Sequence, residues 1–322
     1  MNDRTEFSHI PVMVDEVLEI FEPVTGGVVV DATVGGGGHA GALLDAHDAI
    51  VLVGFDQDPA ALAAAEEHLR RHRSRITLLR SRFDRLGAEL DALGITEIAG
   101  VLFDLGVSSH QLDVAGRGFS FRNDGPLDMR MDPDSDTNAA DLVNALDETE
   151  LARILSDLGD ERHARRIARA IIANRPVHTT GRLAEIVAEA MPAASRRSPG
   201  HPARRTFQAL RIAVNAELDV LGSAIDQSID RLGPGGRGVV LSYHSGEDRI
   251  VKRRLRTAAG LDRIVPKGLP EPTDSAPAIR LLRRSGRTPS QVELDRNPRA
   301  KAARLRSFER PPTASNASEA TS

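Results

Sequence analysis

The chain has 322 residues, of which 40% are hydrophobic, with a formal net charge of −4 and no cysteine. The lack of cysteine excludes disulfide-stabilised scaffolds and thiolate metal sites, and it agrees with a cytoplasmic location. The sequence shows neither a secretory signal nor an apolar run of about 18 residues, so we expect no contact with a membrane. We also expect no metal-binding residues, although metal dependence stays open. The length predicts either two domains or one domain with an insertion.

Charge is distributed unevenly along the chain. Residues 1–159 contain 12 arginines, no lysine and 29 acidic residues, which gives a charge of −17, whereas residues 160–322 carry +13. A basic half favours a polyanionic partner, because Arg and Lys side chains that face phosphates release counterions. Solvated helix faces in an arginine-rich protein are the alternative explanation.

The first third of the chain predicts alternating strands and helices. A short helix is expected over 11–21, because its apolar residues recur on one face. The elements that follow are strand 28–31, a helix from 39, strand 50–56, helix 60–69, strand 76–79, helix 84–93 and strand 100–105. Apolar strands separated by helices predict a mostly parallel, doubly wound sheet of the α/β class.

After Gly106 the alternation stops, and the pattern becomes helical. We expect one helix capped by Asp147, a basic helix over 162–173 and a further helix capped by Thr180. From Arg204 a single unbroken helix is expected to reach Leu232. Strand 238–242 then resumes the sheet, and segments 279–282 and 302–308 supply two closing strands. The predicted domains are a first part of the core (1–106), an inserted helical domain (107–202), a second part of the core (203–310) and a disordered tail (311–322).

Four consecutive glycines, Gly35 to Gly38, directly follow the first apolar strand. Glycine permits positive φ and close backbone approach, and a helix N-terminus favours an anionic group, so we expect a nucleoside cofactor here. The spacing of Gly36, Gly38 and Gly41 fits the dinucleotide fingerprint, with Asp56 placed about 20 residues further on for a ribose diol. This pattern leaves three alternatives open: a nicotinamide cofactor, S-adenosylmethionine or a purely structural turn.

Other polar and aromatic residues follow predicted strands, at the edge where α/β proteins bind ligands. Asp104 ends an apolar strand, where a partly desolvated carboxylate needs a partner such as an amine of the cofactor or substrate. His244 ends the fifth strand and is the best general-base or orienting candidate among the histidines. Phe83 follows the third strand, where its ring could flank an adenine, although a core phenylalanine is an equal alternative.

The segment 116–132 contains too much Gly, Pro and charge for a helix and is predicted to be an ordered loop. Its aromatic and basic side chains could stack on a base and hold phosphates, unless the loop is packed without ligand contacts. These side chains are Phe119, Phe121, Arg117, Arg122 and Arg130. A basic surface suited to folded RNA is predicted from Arg162, Arg165, Arg166, Arg169, Arg196, Arg197, Arg204 and Arg205.

Taken together, these motifs closely resemble one family, the bacterial 16S rRNA (cytosine-N4)-methyltransferases. The resemblance runs from about His9 to Arg310. The motifs are DATVGGGGH at 31–39, DQDP at 56–59, DLGVSS at 104–109, QLD at 111–113, RGFSF at 117–121, GPLDMRMD at 125–132, RTFQALR at 205–211 and SYHSGEDR at 242–249. Departures are small: Ala40 stands where serine is common in the family, and Tyr243 where phenylalanine is frequent.

The resemblance implies a class I S-adenosylmethionine-dependent methyltransferase, with a Rossmann-like core and an inserted helical domain. The implied reaction is methylation of the exocyclic N4 amine of a decoding-centre cytidine in 16S rRNA, on the small ribosomal subunit. The implied cofactor contacts are Gly36, Gly37, Gly38, His39, Asp56, Phe83, Asp104 and Gln111. Asp104 or His244 is our hypothesis for the proton acceptor, with Ser108 or Ser109 assisting. A homodimer is compatible with the sequence.

Two other classes of function stay open at this stage. A nicotinamide oxidoreductase would use the same glycine spacing but would have no need for a basic second half. A noncatalytic RNA-binding or assembly factor would retain the fold and transfer nothing. DNA or protein methyltransferases would share the core and differ in the insertion.

Overall fold

The structure is a computed structural model that describes residues 11–193, 200–262 and 277–312. It contains two compact units. The first, here called the sheet unit, comprises the residues up to Gly106 and those from Leu218 onwards. The second, the helical unit, comprises Val107–Glu217. The predicted disordered tail lies, from residue 313 on, outside the described residues.

The sheet unit is built on a seven-stranded sheet with the order β3-β2-β1-β4-β5-β7-β6. Strands β1 to β5 pair in parallel, whereas β7 is antiparallel to both β5 and β6. The strands are β1 (Gly27–Asp31), β2 (Ile50–Asp56), β3 (Ile76–Arg80), β4 (Ile98–Asp104), β5 (Leu232–Ser242), β6 (Arg280–Leu281) and β7 (Arg304–Glu309). The predicted Rossmann-like, mostly parallel sheet is therefore confirmed.

Both faces of this sheet are buried, which explains why its central strands are apolar throughout. Successive side chains of a strand point to opposite faces. Val29 and Leu52 accordingly pack in one apolar cluster, and Val30 and Val53 in another. The polar residues of β1, β2 and β4 are left to the positions where these strands end.

The described helices cover both units. In chain order they are α1 (Val14–Phe21), α2 (Gly38–Ala46), α3 (Pro59–His68), α4 (Leu86–Ala92), α5 (Ser109–Asp113), α6 (Ala139–Ala145), α7 (Glu148–Gly159), α8 (Ala164–Ala173), α9 (Thr180–Ala190), α10 (Arg204–Asn215), α11 (Glu217–Arg231), α12 (Ser245–Ala258) and α13 (Gln291–Arg296). Within the described residues, no helix is both long and apolar enough to cross a membrane.

The helical unit has a core of its own, to which α6 to α10 contribute. Asp147 caps α7 as expected, in a reciprocal capping box with Glu150. For α9 the cap is Thr179 rather than Thr180, since the Thr179 side chain accepts the Arg182 N–H group.

Helix α10 belongs to the helical unit, so this unit extends to Glu217, whereas the sequence placed its end at residue 202. The reason is close packing of α10 against α7. At Gly159, the last residue of α7, a Cβ atom would lie 2.6 Å from the Arg205 carbonyl oxygen. Glycine is therefore needed for this approach.

The expectation of one unbroken helix from Arg204 to Leu232 is wrong. Ala216 has a φ of 49°, in the left-handed region, and it separates α10 from α11. The break coincides with the boundary between the two units. Apolar spacing could not reveal it, because both helices bury a face and the apolar stripe continues across the turn.

Asn215, at the end of α10, is a buried polar residue that joins two segments of the helical unit. Its Oδ1 accepts the Met131 N–H group at 2.7 Å, and its Nδ2 donates to the Met129 carbonyl oxygen at 2.8 Å. The side chain thus satisfies backbone groups of the loop that follows Gly118. An unsatisfied buried backbone group costs about 1–3 kcal/mol.

We expect the substitution Asn215→Ala to destabilise the helical unit by about 3 kcal/mol, because it leaves buried groups of Met129 and Met131 unpaired. Hydrogen exchange of the peptide that contains Met131, read by mass spectrometry, measures the change. The matched control is Asn123→Ala, an exposed asparagine in the same unit. Equal protection in the two variants would contradict this role for Asn215.

Candidate active site

Three carboxylates end neighbouring parallel strands: Asp31 in β1, Asp56 in β2 and Asp104 in β4. The chain runs from β1 to β2 on one side of the sheet and later returns to place β4 on the other side of β1. The gap between β1 and β4 is therefore a topological switch point, where open α/β sheets bind ligands. Asp31 and Asp104 lie on either side of it.

The glycine loop between β1 and α2 lies at the same edge. Gly35 and Gly37 have φ values of 52° and 83°, which non-glycine residues rarely adopt. The Gly37 N–H group bonds the Val34 carbonyl oxygen at 2.8 Å and closes a tight turn into α2. The first turn of a helix leaves N–H groups without intrahelical acceptors, so Gly38 and His39 begin a helix end suited to polar or anionic groups.

Asp56 connects the glycine loop to the turn after β2. Its Oδ2 accepts the Gly35 N–H group at 3.0 Å, and its Oδ1 accepts the Asp58 N–H group at 2.9 Å. Burial raises the pKa of Asp56 to about 6, although these two hydrogen bonds act in the opposite direction. The Gln57 N–H group also bonds this carboxylate, which is only partly buried and can still accept from a ribose hydroxyl. Asp58, as expected, caps α3 instead, by accepting the Ala60 N–H group.

Asp31 is 1% exposed and lies between the other two carboxylates. Burial raises its pKa to about 7, and the nearby charges of Asp104 and Asp56 add to this effect. The Thr33 N–H group donates to Asp31 Oδ1 at 3.2 Å, and this hydrogen bond lowers the pKa of Asp31 and so offsets part of the rise. The edge of the sheet thus concentrates negative charge, which favours a cationic ligand.

Asp104 is held by contacts from three directions. The Tyr243 hydroxyl donates to Asp104 Oδ1 at 2.5 Å, and His39 Nδ1 lies 3.5 Å from Asp104 Oδ2. The Asp104 N–H group donates to Thr33 Oγ1 at 2.6 Å. The side chain is still 24% exposed. The carboxylate is therefore accessible as well as oriented by these contacts.

His39 lies at the N-terminus of α2 with its ring buried. Its Nε2 is 3.0 Å from the Val12 carbonyl oxygen, which can only accept a hydrogen bond. Nε2 therefore carries the proton, and Nδ1 is the atom that faces Asp104. The structure thus places His39 beside the carboxylate, and its predicted contact with a cofactor stays a prediction.

His244 is the N-cap residue of α12. Its Nδ1 accepts from the N–H groups of Gly246 and Glu247 at 3.2 and 3.4 Å. Its Nε2 lies 3.2 Å from Glu247 Oε1, and the side chain is 9% exposed. The nitrogen that could take a proton is thereby occupied by the helix, and this competes with the predicted role of His244 as acceptor.

Phe83 begins a short 3₁₀ helix, Phe83–Arg85, after β3. Its ring meets the ring of Phe103 edge to face, with centroids 6.0 Å apart. It is partly buried, so one part of the ring packs in the core and another part is accessible. The predicted contact with an adenine stays a prediction.

Ser108, Ser109 and Gln111 belong to the helical unit, where they form the start of α5. Ser108 and Gln111 form a reciprocal capping box: Ser108 Oγ accepts the Gln111 N–H group, and Gln111 Oε1 accepts the Ser108 N–H group. The side chain of Ser109 is outside the described part of the structure. The predicted assisting and cofactor-binding roles of these residues stay predictions.

The loop over 116–132 is packed, as in the alternative considered above. Phe119 is 6% exposed, and Phe121 stacks on His201 with centroids 4.3 Å apart. Arg117 donates to the Arg130 and Met131 carbonyl oxygens, and Arg130 forms a two-pronged pair with Asp128. The expectation that Phe119 stacks on a base is therefore wrong, because its ring belongs to the core.

The predicted basic surface is present in part. Arg162, Arg165, Arg166 and Arg204 are exposed on the helical unit. Arg169 is also exposed but pairs with Glu148 at 3.0 Å, and Arg205 donates to the Asp160 carbonyl oxygen. Arg196 and Arg197 lie outside the described residues. Over the described ranges, no group of three or more His, Asp or Glu side chains could hold a metal ion.

The model of the MraW methylase family matches residues 6–311 of the chain. The chain belongs to the MraW methylase family. This membership makes the protein a methyltransferase and removes the nicotinamide oxidoreductase from the alternatives.

Curated relatives of this MraW-family protein agree with the assignment. The chain is 50% identical over 310 residues to the ribosomal RNA small subunit methyltransferase H of Thermobifida fusca, covering 94% of this chain and 93% of the relative. It is 49% identical over 309 residues to the protein of the same name from Saccharopolyspora erythraea, with coverage of 94% and 93%. Among solved structures, a putative rRNA methylase from Clostridium thermocellum aligns at 13% identity with a TM-score of 0.43, covering 94% of this chain and 99% of that one.

Sequence reasoning missed three residues of this candidate site: Asp31, Thr33 and Tyr243. Asp31 and Thr33 belong to the glycine-loop motif. Asp31 is an acidic residue at the end of an apolar strand, which is the same signal that singled out Asp104. Tyr243 was seen only as a departure from the family pattern. Its contact with Asp104 joins residues 139 positions apart, which no local pattern reveals.

We expect the substitution Asp31→Asn to flatten the dependence of stability on pH. The pKa of Asp31 is about 7 in the folded protein and 3.8 for the ordinary group, so the folded state holds this proton more tightly. Stability is therefore lost as the pH rises from about 4 to 7, by up to about 4 kcal/mol. Asparagine can still accept from Thr33 but does not ionise.

Denaturant unfolding of both proteins between about pH 5 and pH 8 measures this difference. The Asp31→Asn protein should gain stability relative to the unmodified protein as the pH rises. The control is Asp48→Asn, an exposed carboxylate of the same unit, which should change little. A wild-type pH slope in Asp31→Asn would contradict the raised pKa.

Proposed function

We propose that this protein methylates the exocyclic N4 amine of a decoding-centre cytidine in 16S rRNA, on the small ribosomal subunit. The methyl donor is S-adenosylmethionine. The relatives named ribosomal RNA small subunit methyltransferase H support the substrate class. The choice of cytidine N4 rests on the motif resemblance and on one observation, an oriented and accessible carboxylate at the end of β4.

The residues at the edge of the sheet fit S-adenosylmethionine. This molecule supplies a methyl group bonded to a positively charged sulfur, together with a ribose diol and an amino acid group. Asp56, a partly buried carboxylate at the end of β2, suits the diol, and the glycine loop permits backbone approach. The grouped carboxylates of Asp31 and Asp104 favour the positive charges.

A cytosine amine is conjugated with its ring and is a poor nucleophile. Transfer forms a nitrogen–carbon bond, breaks the sulfur–carbon bond and releases one proton from the amine. Positioning supplies most of the acceleration. A hydrogen-bond acceptor near the amine favours the pyramidal, electron-rich form of the nitrogen as its proton leaves. Asp104 has the properties of that acceptor, since its carboxylate is 24% exposed and its Oδ1 is held by the Tyr243 hydroxyl.

Asp104 is favoured over His244 because the lone pair of His244 Nδ1 is engaged by the backbone of α12. We retain Ser108 and Ser109 as assisting residues on the basis of the motif, and we retain Phe83 and Gln111 as cofactor contacts on the same basis. Gly36, Gly37, Gly38 and His39 complete the proposed cofactor set.

The exposed arginines of the helical unit supply the proposed contact with RNA. Arg162, Arg165 and Arg166 lie on or just before α8, whose opposite face is buried through Ile167 and Ile171. Cations on one face attract the phosphate backbone independently of sequence. We accordingly propose a cytoplasmic enzyme that meets its RNA on the subunit. Association into a homodimer also belongs to this proposal.

The experiment incubates the purified protein with methyl-labelled S-adenosylmethionine and small ribosomal subunits that lack the modification. The RNA is then digested and the labelled nucleoside is identified. We expect label in N4-methylated cytidine. The Asp104→Asn protein should transfer at least about 100-fold more slowly, as losses of a general base do, while still binding S-adenosylhomocysteine.

Asp48→Asn, the exposed carboxylate variant, is the matched control and should transfer normally. Label in a different nucleoside would contradict the N4 assignment. Binding of cofactor without any label would favour the noncatalytic RNA-binding factor. Loss of cofactor binding in Asp104→Asn would remove that residue from the catalytic role and make it a binding residue.

A further inference from the structure

We propose that Tyr243 is a positioning residue for the reaction: its hydroxyl bonds Asp104 Oδ1 and holds the carboxylate in the orientation in which it accepts from the amine of the substrate. The inference rests on the proposed function. It adds a residue that acts through Asp104 and does not itself touch the reacting atoms.

The position of Tyr243 follows from the pairing of two strands. Strand β5 pairs in parallel with β4, and Asp104 lies opposite Leu241. Tyr243 follows two residues later, just beyond the last residue of β5. Since parallel strands end at the same edge, its side chain reaches Asp104 without any change in the sheet.

Tyr243 is held through its backbone N–H group and through its ring. Its backbone N–H group donates to Glu247 Oε2 at 2.7 Å, in the first turn of α12. Its ring packs against Gly106, where a Cβ atom would lie 3.4 Å from Tyr243 Cδ2. Little freedom is left for the phenol oxygen, so the hydrogen bond to Asp104 holds a defined geometry.

The direction of this hydrogen bond is settled by chemistry. Burial and the neighbouring Asp104 charge hold the pKa of Tyr243 well above its usual value, so the phenol stays a donor. A hydrogen bond donated to a carboxylate favours the ionised form of that carboxylate. An ionised Asp104 is the form that can accept a proton from an amine.

The charged groups around this pair come from several elements. Asp31 in β1 and His39 in α2 face Asp104, while Glu247 in α12 and Glu293 in α13 act on Tyr243. The negative charges of Asp31, Glu247 and Glu293 disfavour ionisation of the carboxyl or phenol group that each of them faces. The Tyr243 hydroxyl therefore offsets a local excess of negative charge at Asp104.

Tyr243→Phe removes one hydroxyl and keeps the ring that packs on Gly106. We expect affinity for S-adenosylhomocysteine to stay within about twofold, because Asp56 and the glycine loop are intact. The single-turnover rate of methyl transfer should fall on the order of tenfold, as for loss of a hydrogen bond to a charged group. The acidic limb of the pH–rate profile should move to higher pH, because Asp104 loses a donor.

Ser242→Ala is the matched control. It removes the buried hydroxyl of the preceding residue, the last of β5, but Ser242 Oγ donates to the Arg304 carbonyl oxygen and not to Asp104. A merely structural effect would lower the stability of both variants and leave both pH profiles unchanged. Only a role through Asp104 separates the two proteins in rate and in pH profile.

A spectroscopic measurement tests the contact without any RNA. Tyr243 is the single tyrosine of the chain, and tryptophan is absent, so tyrosine fluorescence reports on this residue alone. A carboxylate bonded to a phenol quenches its emission, and Asp104→Asn should therefore increase the emission. Unchanged emission in this variant would overturn the contact.

The outcomes separate the two proposals. If the unmodified protein transfers no methyl group to RNA, the proposed function fails, whatever the fluorescence shows. If it transfers normally and Tyr243→Phe matches Ser242→Ala in rate and pH profile, the positioning role of Tyr243 fails while the proposed function stands.

Discussion

The parallel pairing of β1 with β2 and β4 is the constraint on which the site depends. Asp31 lies opposite Gly54 in β2 and Leu102 in β4, so the last residues of those strands, Asp56 and Asp104, lie two positions further toward the same edge. Burial of a carboxylate disfavours its charged form, and it raises the pKa of Asp31 to about 7 and that of Asp56 to about 6. At Asp31 the charges of Asp104 and Asp56 add to this effect. The positive charge of the proposed methyl donor would relieve this cost. An edge that is costly to build in the free protein is thus prepared for binding.

Hydrogen bonds at this edge hold the surrounding loops as well as the carboxylates. Asp56 accepts from Gly35 and so fixes the glycine loop, while Asp104 is fixed by Tyr243 from β5 and approached by His39 from α2. His39 in turn is bonded to Val12, ahead of α1. The sheet unit therefore orients its polar groups through contacts between distant segments. This is the preorganisation that electrostatic catalysis requires, since the donors and acceptors are in place before the substrate arrives.

Much of the sheet unit could be predicted from sequence, because buried parallel strands are apolar runs and glycine loops leave a distinctive pattern. The bounds of β2, Ile50–Asp56, match the prediction residue by residue. The break at Ala216 could not be predicted, since an alanine with positive φ has no local signature. The motif residues His244 and Ser108 were visible, but their roles as helix caps depend on which backbone groups they meet. Tyr243 as the partner of Asp104 required the register of β4 with β5, which only the folded chain supplies.

The central claim is that the methyl donor binds on the glycine loop at this edge, and a matched pair of glycine variants tests it most directly. Gly37 and Gly94 have similar φ values, 83° and 71°, so alanine strains the backbone alike at both positions. At Gly37 a Cβ atom would lie 3.0 Å from Leu69 Cγ, so the loop or the Leu69 side chain must shift by a few tenths of an ångström, whereas at Gly94 it meets nothing within 4 Å. Calorimetric titration with S-adenosylhomocysteine should show at least about tenfold weaker binding to Gly37→Ala and unchanged binding to Gly94→Ala. Equal affinity of the two variants would contradict the account.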